Sequence, residues 1–290
     1  MGFKISLSFL FIFSFQTFCQ YPANQAEFSS VNISGEYYSV VKLVNTKNKL
    51  RVKYFASRDQ NGNSVHKRFK AWASNKNVIC YSSGTYMDNY DINLAKPIGL
   101  CIDQGRVVNN GLILDKFDGL VIVYPSGRIN VHNLRAKSIL IDNGEGEKMN
   151  LDLANGFHKI QFLNWAKEQD VTVFQTHLFC FNNQAFNNLD NSKKAGRRFM
   201  AAGKDISGVS KHYIINLSSP NTLLVASRKA INYLKSHEEI TDIEYLVNLD
   251  PGAQDVFGAY FPNGRNVNLK GFQGTLDITK SLNLIVYYVE

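Results

Sequence analysis

Cysteine is scarce in this sequence, which contains four among 290 residues. Cys19 lies in the N-terminal segment, which leaves Cys80, Cys101 and Cys180 for the rest of the chain. Three cysteines over this length do not make a disulfide framework. The sequence also lacks C-x-x-C, H-E-x-x-H and any pair of histidines at helical spacing. Because these are the usual metal-ligand patterns, we predict neither a metal site nor a cofactor.

Long apolar runs are missing beyond the N-terminus. The run of residues 5–15 is shorter than the roughly 20 residues that a membrane span needs. It follows Lys4 and precedes Thr17-Phe18-Cys19, which is the layout of a secretory signal peptide. We therefore expect a signal peptide of residues 1–19 and a bacterial protein that is secreted or periplasmic, with no membrane span in its mature form.

Cys19 leaves a second route of export open. A bacterial lipoprotein is lipidated at such a cysteine, and this is the alternative to a freely released chain. Phe18 is bulky for the residue that precedes a lipidated cysteine, which favours release.

Acidic residues are fewer than basic ones, 24 against 32, and the formal net charge is +8. A basic surface suits anionic partners such as phosphate-bearing glycans or the bacterial envelope. Nucleic-acid binding calls for a concentrated Lys/Arg stripe with interleaved aromatic residues. The densest clusters, at residues 67–70 and 193–198, are short. We interpret the first as a solvated face and expect no nucleic-acid partner.

Short β-type runs bounded by Gly, Asn, Asp and Pro predict strands through much of the chain. The predicted strands are 50–55, 77–81, 98–102, 120–124, 129–132, 171–174, 245–249 and 282–288. Two of them flank Pro125-Ser126-Gly127, which is typical of a hairpin.

Helical spacing of apolar residues occurs twice. In the segment 157–169 the predicted apolar face is Phe157, Ile160, Leu163 and Ala166. In the segment 221–235 it is Leu223, Ala226, Ala230 and Leu234, with Asn221 as the N-cap. No repeat, linker or low-complexity stretch divides the chain. We therefore predict an α+β fold, with a mixed β-sheet and helices packed against it, in a single compact domain of residues 20–290.

Asp250 stands at the end of the predicted strand 245–249 and precedes Pro251-Gly252. A carboxylate at the tip of a buried strand is where α/β-type sheets often place chemistry. Asp-Pro-Gly is also common turn punctuation, so the residues alone leave both interpretations open.

Four segments in this order resemble the phosphodiester glycosidase family: Ser82 to Tyr86, Pro97 to Leu100 with Gln104-Gly105, Arg197 to Gly203, and Asn248 to Gly252. The resemblance spans residues 77–261. It implies a hydrolase of carbohydrate metabolism, a glycosidase that cleaves the bond between a sugar's anomeric carbon and a phosphodiester. Two positions depart from the family: Ser82 stands in place of Asn, and Pro251 in place of the first Gly after the Asp.

Such a reaction needs few groups. The leaving group is a phosphate oxygen and already a stable anion, so a cation to hold the phosphate matters more than an acid. The planar fork of Arg suits phosphate oxygens. Neighbours in a strand face opposite sides, so only one of Arg197 and Arg198 can face the site, and we favour Arg198. The predicted catalytic residues are Asp250, Arg198 and His177. The predicted substrate-binding residues are Ser82, Gly84, Asn248, Gly252, Gln175 and Asp205.

Two other functions remain open. The departures at Ser82 and Pro251 favour a glycan-binding or cell-surface module that keeps the fold without the reaction. A general phosphodiesterase that attacks phosphorus would call for paired metals held by His and Asp, and the sequence lacks their spacing.

Overall fold

A computed structural model describes residues 26–45, 49–91, 93–142, 146–251, 255–260, 266–268 and 277–290. The predicted signal peptide and Gly252 lie outside these ranges. The strands are β1 (Ala26–Ile33), β2 (Glu36–Val44), β3 (Leu50–Phe55), β4 (Asn77–Ser82), β5 (Cys101–Asp103), β6 (Arg106–Asn109), β7 (Gly119–Val123), β8 (Ile129–Asn133), β9 (Ile139–Asp142), β10 (Lys148–Leu151), β11 (Thr172–Thr176), β12 (Leu178–Phe181), β13 (Gln184–Ala185), β14 (Ala195–Asp205), β15 (Ser210–Asn221), β16 (Ile240–Leu249), β17 (Phe257–Tyr260), β18 (Asn266–Asn268) and β19 (Leu284–Val289). The helices are α1 (Val65–Ala73), α2 (Gly156–Glu168) and α3 (Leu223–Ser236).

Three sheets and a hairpin organise the described part of the chain. The largest sheet has seven strands in the order β1-β2-β15-β14-β16-β12-β13. Two five-stranded sheets have the orders β6-β5-β11-β7-β8 and β18-β17-β4-β19-β3, and β9 pairs with β10. The pairings among the described strands are antiparallel. The expected α+β class is confirmed in coarse form, with strands predominant over helices.

One apolar cluster joins the three sheets. Tyr54 and Ile285 from one five-stranded sheet pack with Val121 and Phe174 of the other and with Met200 of the seven-stranded sheet. Removing these side chains from water is the main source of stability for such a core. The helices cover outer faces: α3 packs on the seven-stranded sheet, α2 on the sheet that contains β11, and α1 on the sheet that contains β3.

The prediction for α3 is confirmed on its apolar face. Leu223, Ala226, Ala230 and Leu234 are all buried, and they contact the seven-stranded sheet that contains β16. The cap lies one residue later than expected, because the hydroxyl of Thr222 accepts a hydrogen bond from the N–H of Val225. A side-chain oxygen that satisfies an N–H of the first turn in this way defines the start of a helix.

The prediction for α2 is right about where the helix lies in the chain and wrong about which of its faces is buried. Phe157 and Ile160 are exposed, whereas Phe162, Trp165 and Ala166 are buried. An α-helix turns by about 100° per residue, so residues nine apart, such as Phe157 and Ala166, lie about 180° apart on the helix. The predicted set therefore winds around the helix and does not form one stripe. No helix in the described ranges is both long and apolar enough to cross a membrane.

The predicted strands are largely confirmed. The hairpin of β7 and β8 has the expected turn, with Gly127 at a φ of +77°. Of the segment 98–102, only the last two residues belong to a strand, because Gly99 has a φ of +80° and turns the chain. The basic segment 67–70 belongs to α1, and Arg68 forms an ion pair with the buried Asp103. The interpretation of that segment as a solvated face is therefore wrong for Arg68.

Candidate functional site

A cleft of about 1040 Å³ lies where the ends of β14 and β16 meet the junction of β11 and β12. Asp250, Arg197 and His177 line it together with three aromatic rings, those of Tyr86, Tyr90 and Phe117. The lining contains four basic side chains, those of Lys116, Arg135, Lys193 and Arg197. It also contains three carboxylates, those of Asp115, Asp190 and Asp250.

Asp250 enters the cleft because β16 ends immediately before it. Its backbone N–H donates to the carbonyl of Gly84 over 2.7 Å, and its own carbonyl accepts from the hydroxyl of Ser83, also over 2.7 Å. The buried Pro251 follows and also lines the cleft. Both backbone polar groups of Asp250 are therefore held by the segment that follows β4. Gly84 lies next to Asp250 but does not itself line the cleft, and its role in substrate binding stays a prediction.

Gly84 is adapted to close approach. A Cβ placed there would lie 2.5 Å from the ring of Tyr54 and 2.9 Å from Oδ1 of Asn283. Oδ1 of Asn283 accepts from the N–H of Gly84 over 2.6 Å. A side chain at this position would displace the segment that holds Asp250, so the absence of a Cβ is what the packing requires.

Arg197 is the arginine that lines the cleft. Its Nε donates to the carbonyl of Asn221 over 2.9 Å, and an Nη donates to the carbonyl of Lys193 over 3.0 Å. It also hydrogen-bonds to the hydroxyl of Tyr86. The two backbone contacts restrain the guanidinium and use only two of its five N–H donors.

Arg198 faces the other side of the sheet and is fully buried. Its guanidinium pairs with Asp255 over 2.6 Å, donates to Oδ1 of Asn216 over 2.9 and 3.1 Å, and packs on the ring of Phe257. The sequence-based choice of Arg198 over Arg197 as the residue facing the site is therefore reversed. The one-residue alternation along β14 is as expected, but which face carries the cleft depends on packing between sheets.

Tyr86 and Phe117 form the aromatic floor of the cleft. Their rings stack with centroids 5.2 Å apart and planes at 14°. The Tyr86 hydroxyl accepts from the side-chain amide of Asn248 and from Arg197, so neither contact uses its own O–H as the donor. Burial, with the charge of Asp250 second, raises the pKa of Tyr86. Tyr86 therefore remains a protonated donor at neutral pH.

His177 is the single residue between β11 and β12, where the chain passes from one sheet to another. Its ring lies edge-on to Tyr86 and Phe117, with centroids at 5.5 and 4.9 Å. Burial lowers the pKa of His177, and a hydrogen bond to the carbonyl of Lys116 opposes that shift only in part. The ring is therefore neutral at pH 7. One nitrogen donates to the Lys116 carbonyl, and the other carries a lone pair.

Gln175 was predicted to bind substrate, but it is fully buried and braces loops instead. Its Oε1 accepts from the N–H groups of Leu100 and Ile113, and its Nε2 donates to the carbonyls of Ile113 and Phe117. Both Oε1 and Nε2 of the side chain are therefore engaged by backbone groups of the protein. Gln175 holds the loop that carries Phe117 into the cleft and does not itself line the cleft, so its role in substrate binding stays a prediction.

Asp205 lies at the opposite end of β14 from Arg197. Because a strand rises about 3.3 Å per residue, the two residues are about 26 Å apart along it. Its Oδ1 accepts from the N–H groups of Ser207 and Val209, and its Oδ2 pairs with Lys211 over 2.9 Å. A side-chain hydrogen bond from Ser207, and then Lys211, lowers its pKa. Asp205 thus closes the β14–β15 turn outside the lining of the cleft, and its role in substrate binding stays a prediction without support from this placement.

Ser82 and Asn248 are buried next to the cleft and do not line it. The hydroxyl of Ser82 donates to the carbonyl of Ser83 over 2.8 Å. Asn248 reaches the cleft only through Tyr86, and its Oδ1 has no hydrogen-bond partner among the described residues. Direct contact of either side chain with substrate stays a prediction, as does any role of Gly252, which lies outside the described residues.

Several residues of the cleft were not singled out from the sequence. Tyr86 stands inside one of the segments that carry the family resemblance, and Lys193 inside the basic cluster 193–198, so both carried a weak signal. Phe117 and Arg135 carried none. Arg135 is held by the buried Asp118 and lies over the ring of Phe186, contacts that join residues distant in the chain.

Metal ligands do not cluster in the described ranges, where no group of three or more His, Cys, Asp and Glu side chains is placed to hold an ion. Asp250 and His177 share the cleft, but they do not form such a group with a third residue there. The described residues therefore add no metal site to the cleft.

Comparison with known proteins gives distant likenesses. No family model matches the sequence, and no curated protein matches it. Among solved structures, the chain is similar to the catalytic domain of zebrafish N-acetylglucosamine-1-phosphodiester alpha-N-acetylglucosaminidase auto-inhibited by its pro-peptide, at 12% identity and a TM-score of 0.48, covering 92% of this chain and 82% of that one.

Two further solved structures are similar at the same level. A hypothetical protein from Synechocystis matches at 11% identity and a TM-score of 0.46, over 91% of this chain and 62% of that one. A protein of Burkholderia pseudomallei described as exported matches at 10% identity and a TM-score of 0.46, over 90% of this chain and 74% of that one. All three TM-scores lie below 0.5, so the proposals below stand on the residues of this chain.

Proposed function

We propose that the chain is a hydrolase that cleaves the bond between the anomeric carbon of a sugar and a phosphodiester. The observation that carries the proposal is the meeting of Asp250 and Arg197 in one cleft, although they are far apart in sequence. A carboxylate can act at the anomeric carbon while a guanidinium holds the phosphodiester, and neither group suffices alone.

Asp250 is assigned the reacting carboxylate. In this role it attacks the anomeric carbon itself or removes a proton from the attacking water, the two ways in which a carboxylate serves glycoside hydrolysis. The two backbone hydrogen bonds to Gly84 and Ser83 fix its position. A fixed carboxylate reduces the entropy that must be lost on reaching the transition state.

Arg197 is assigned the cation that binds the phosphodiester, with Lys116 and Lys193 as further positive charges in the same lining. The bond that breaks joins the anomeric carbon to a phosphate oxygen, and its electron pair leaves with that oxygen. The group that departs is a phosphate monoester, which is a stable anion, so no proton donor is required for its departure. Charge stabilisation by a preorganised guanidinium then supplies the leaving-group assistance.

His177 and Tyr86 are assigned supporting roles. The lone pair of neutral His177 can accept a proton or a sugar hydroxyl's hydrogen bond, whereas donation of a proton from this ring is disfavoured by its lowered pKa. The hydroxyl of Tyr86 can donate to a ligand oxygen. The stacked rings of Tyr86 and Phe117 offer an apolar platform for a sugar face.

Binding without turnover is the second candidate, and Pro251 favours it. The residue after Asp250 lines the cleft, and as a proline it has no N–H to donate to a ligand and a fixed φ. The same cations and aromatic rings would then bind a phosphate-bearing glycan. Export with removal of residues 1–19 is part of both proposals.

The experiment that separates these candidates uses purified protein and a panel of sugar-1-phosphodiesters, with plain glycosides of the same sugars as controls. Each substrate is incubated with and without a chelator, and release of the free sugar is followed. Release from phosphodiesters but not from plain glycosides supports the hydrolase. Tight binding with no release supports the binding module, and release of a sugar phosphate would indicate attack at phosphorus and contradict both.

A further inference from the structure

The ion pair of Arg198 and Asp255 requires two charges to be removed from water. Both side chains are fully buried, and Nη1 and Oδ1 lie 2.6 Å apart. Burial lowers the pKa of Arg198, and the charge of Asp255 opposes this shift. Replacing a buried ion pair by apolar residues of similar volume is often neutral or stabilising, so stability alone does not account for such a pair.

The remaining contacts of Arg198 converge on the segment that holds Asp250. Nη1 donates to the hydroxyl of Ser83 over 3.2 Å, and that hydroxyl donates onward to the carbonyl of Asp250 over 2.7 Å. Gly84, the next residue, accepts from the N–H of Asp250. Two hydrogen bonds that share the hydroxyl of Ser83 therefore connect Arg198 with the backbone of Asp250.

Arg198 also holds the chain on the far side of Asp250. Nη1 donates to the carbonyl of Val256 over 3.1 Å, and the same carbonyl accepts from the N–H of Ser83 over 2.8 Å. Asp255 lies next to Val256 in the chain. The pair therefore ties the segment before Gly84 to the segment after Asp250, and the carboxylate residue lies between them.

We propose that Arg198 and Asp255 are positioning residues, which fix the backbone of Asp250 through the hydroxyl of Ser83 and the carbonyl of Val256. The inference rests on the proposed function, in which Asp250 is the reacting carboxylate. Arg198 then does not touch substrate: Arg197 on one face of β14 binds the phosphodiester, and Arg198 on the other face sets the geometry of the carboxylate.

The test uses two changes that break the connection at different points. Ser83→Ala removes the hydroxyl between Arg198 and Asp250, and Ser83→Thr retains a hydroxyl there. The double variant Arg198→Met with Asp255→Leu removes both charges together, so that no buried charge is left unpaired. The control is Ser227→Ala, which removes another buried hydroxyl, one that donates to the carbonyl of Leu224 in α3.

With a sugar-1-phosphodiester as substrate, Ser83→Ala and the double variant should lower kcat by about tenfold or more and leave KM close to its original value, because an interaction that acts on the reacting carboxylate appears in kcat. Ser83→Thr should restore kcat, and Ser227→Ala should not change it. Wild-type kcat in both disrupting variants would overturn the inference.

Hydrogen exchange at the amide of Asp250 gives a readout that does not depend on turnover. This N–H donates to Gly84, so loosening the segment should raise its exchange rate by about tenfold in both disrupting variants and not in Ser227→Ala. Unchanged exchange in folded variants would overturn the inference even if the enzyme is inactive. If wild-type protein shows no turnover on any phosphodiester, the proposed function fails, while the exchange measurement still decides whether Arg198 positions Asp250.

Discussion

Arg197 and Arg198 are adjacent in β14, yet their guanidinium groups lie on opposite faces of the seven-stranded sheet. Arg197 lines the cleft beside Tyr86, and Arg198 pairs with Asp255 in the core. The alternation of a strand separates the two charges by a sheet's thickness. In our account, one arginine meets the ligand and the other holds the protein's own carboxylate in place.

Arg197→Met should lower kcat/KM for sugar-1-phosphodiesters by about 100-fold, the usual effect of removing one preorganised donor to a developing charge. Arg197→Lys keeps the charge but not the planar fork, so its effect should be smaller and still clear. The control is Arg128→Met, whose guanidinium lies over the ring of Tyr124 outside the cleft. Equal losses in all three variants would show that the effect is not specific to the cleft.

Gly84→Ala should destabilise the protein by about 2 kcal/mol or more, because the added Cβ would lie 2.5 Å from the ring of Tyr54. The matched control is Gly156→Ala at the start of α2, where no atom lies within 4 Å of the added Cβ. Denaturant unfolding measures both. A loss of stability at Gly84 no greater than at Gly156 would contradict the packing described for this segment.

The sequence predicted correctly those features of the fold that depend on the spacing of neighbouring residues. The buried face of α3, the hairpin of β7 and β8, and the position of Asp250 after a buried strand all follow from neighbouring residues. The face of α2 was wrong because a spacing of three, repeated, winds around a helix. The orientation of Arg197, the bracing by Gln175 and the turn at Asp205 depend on partners far away in the chain, which no local pattern reports.

Stability should fall on mild acidification because of two partly buried histidines. Burial lowers the pKa of His132 and His212 to about 4, whereas an unfolded histidine has a pKa of about 6.5. Between these values the unfolded chain binds more protons than the folded chain. The stability they contribute is therefore present above pH 6.5 and is lost as the pH falls toward 4, by at most about 3 kcal/mol per histidine.

Thermal unfolding between pH 7 and pH 4 measures this dependence. His132→Leu should flatten it, because the leucine has no proton to bind. A wild-type unfolding free energy that stays constant from pH 6.5 to pH 4.5 would show that these two rings are not held neutral by burial.

The exported form should begin at or near Gln20, since residues 1–19 have the layout of a signal peptide. Mass spectrometry of protein from the periplasm or the medium determines its N-terminus. A diacylated Cys19 would instead establish the lipoprotein route, and Cys19→Ser would then abolish membrane attachment. An intact Met1 in a cytoplasmic pool would contradict export by either route.

The central claim is that Asp250 performs the reaction at the anomeric carbon. The most direct measurement is the rate of sugar release from a phosphodiester by wild-type protein and by Asp250→Asn, with Asp190→Asn as a control that changes another carboxylate of the same cleft. Our account predicts that Asp250→Asn lowers turnover by about 100-fold or more with the fold intact, and that Asp190→Asn has little effect. Turnover by Asp250→Asn at the wild-type rate would contradict it.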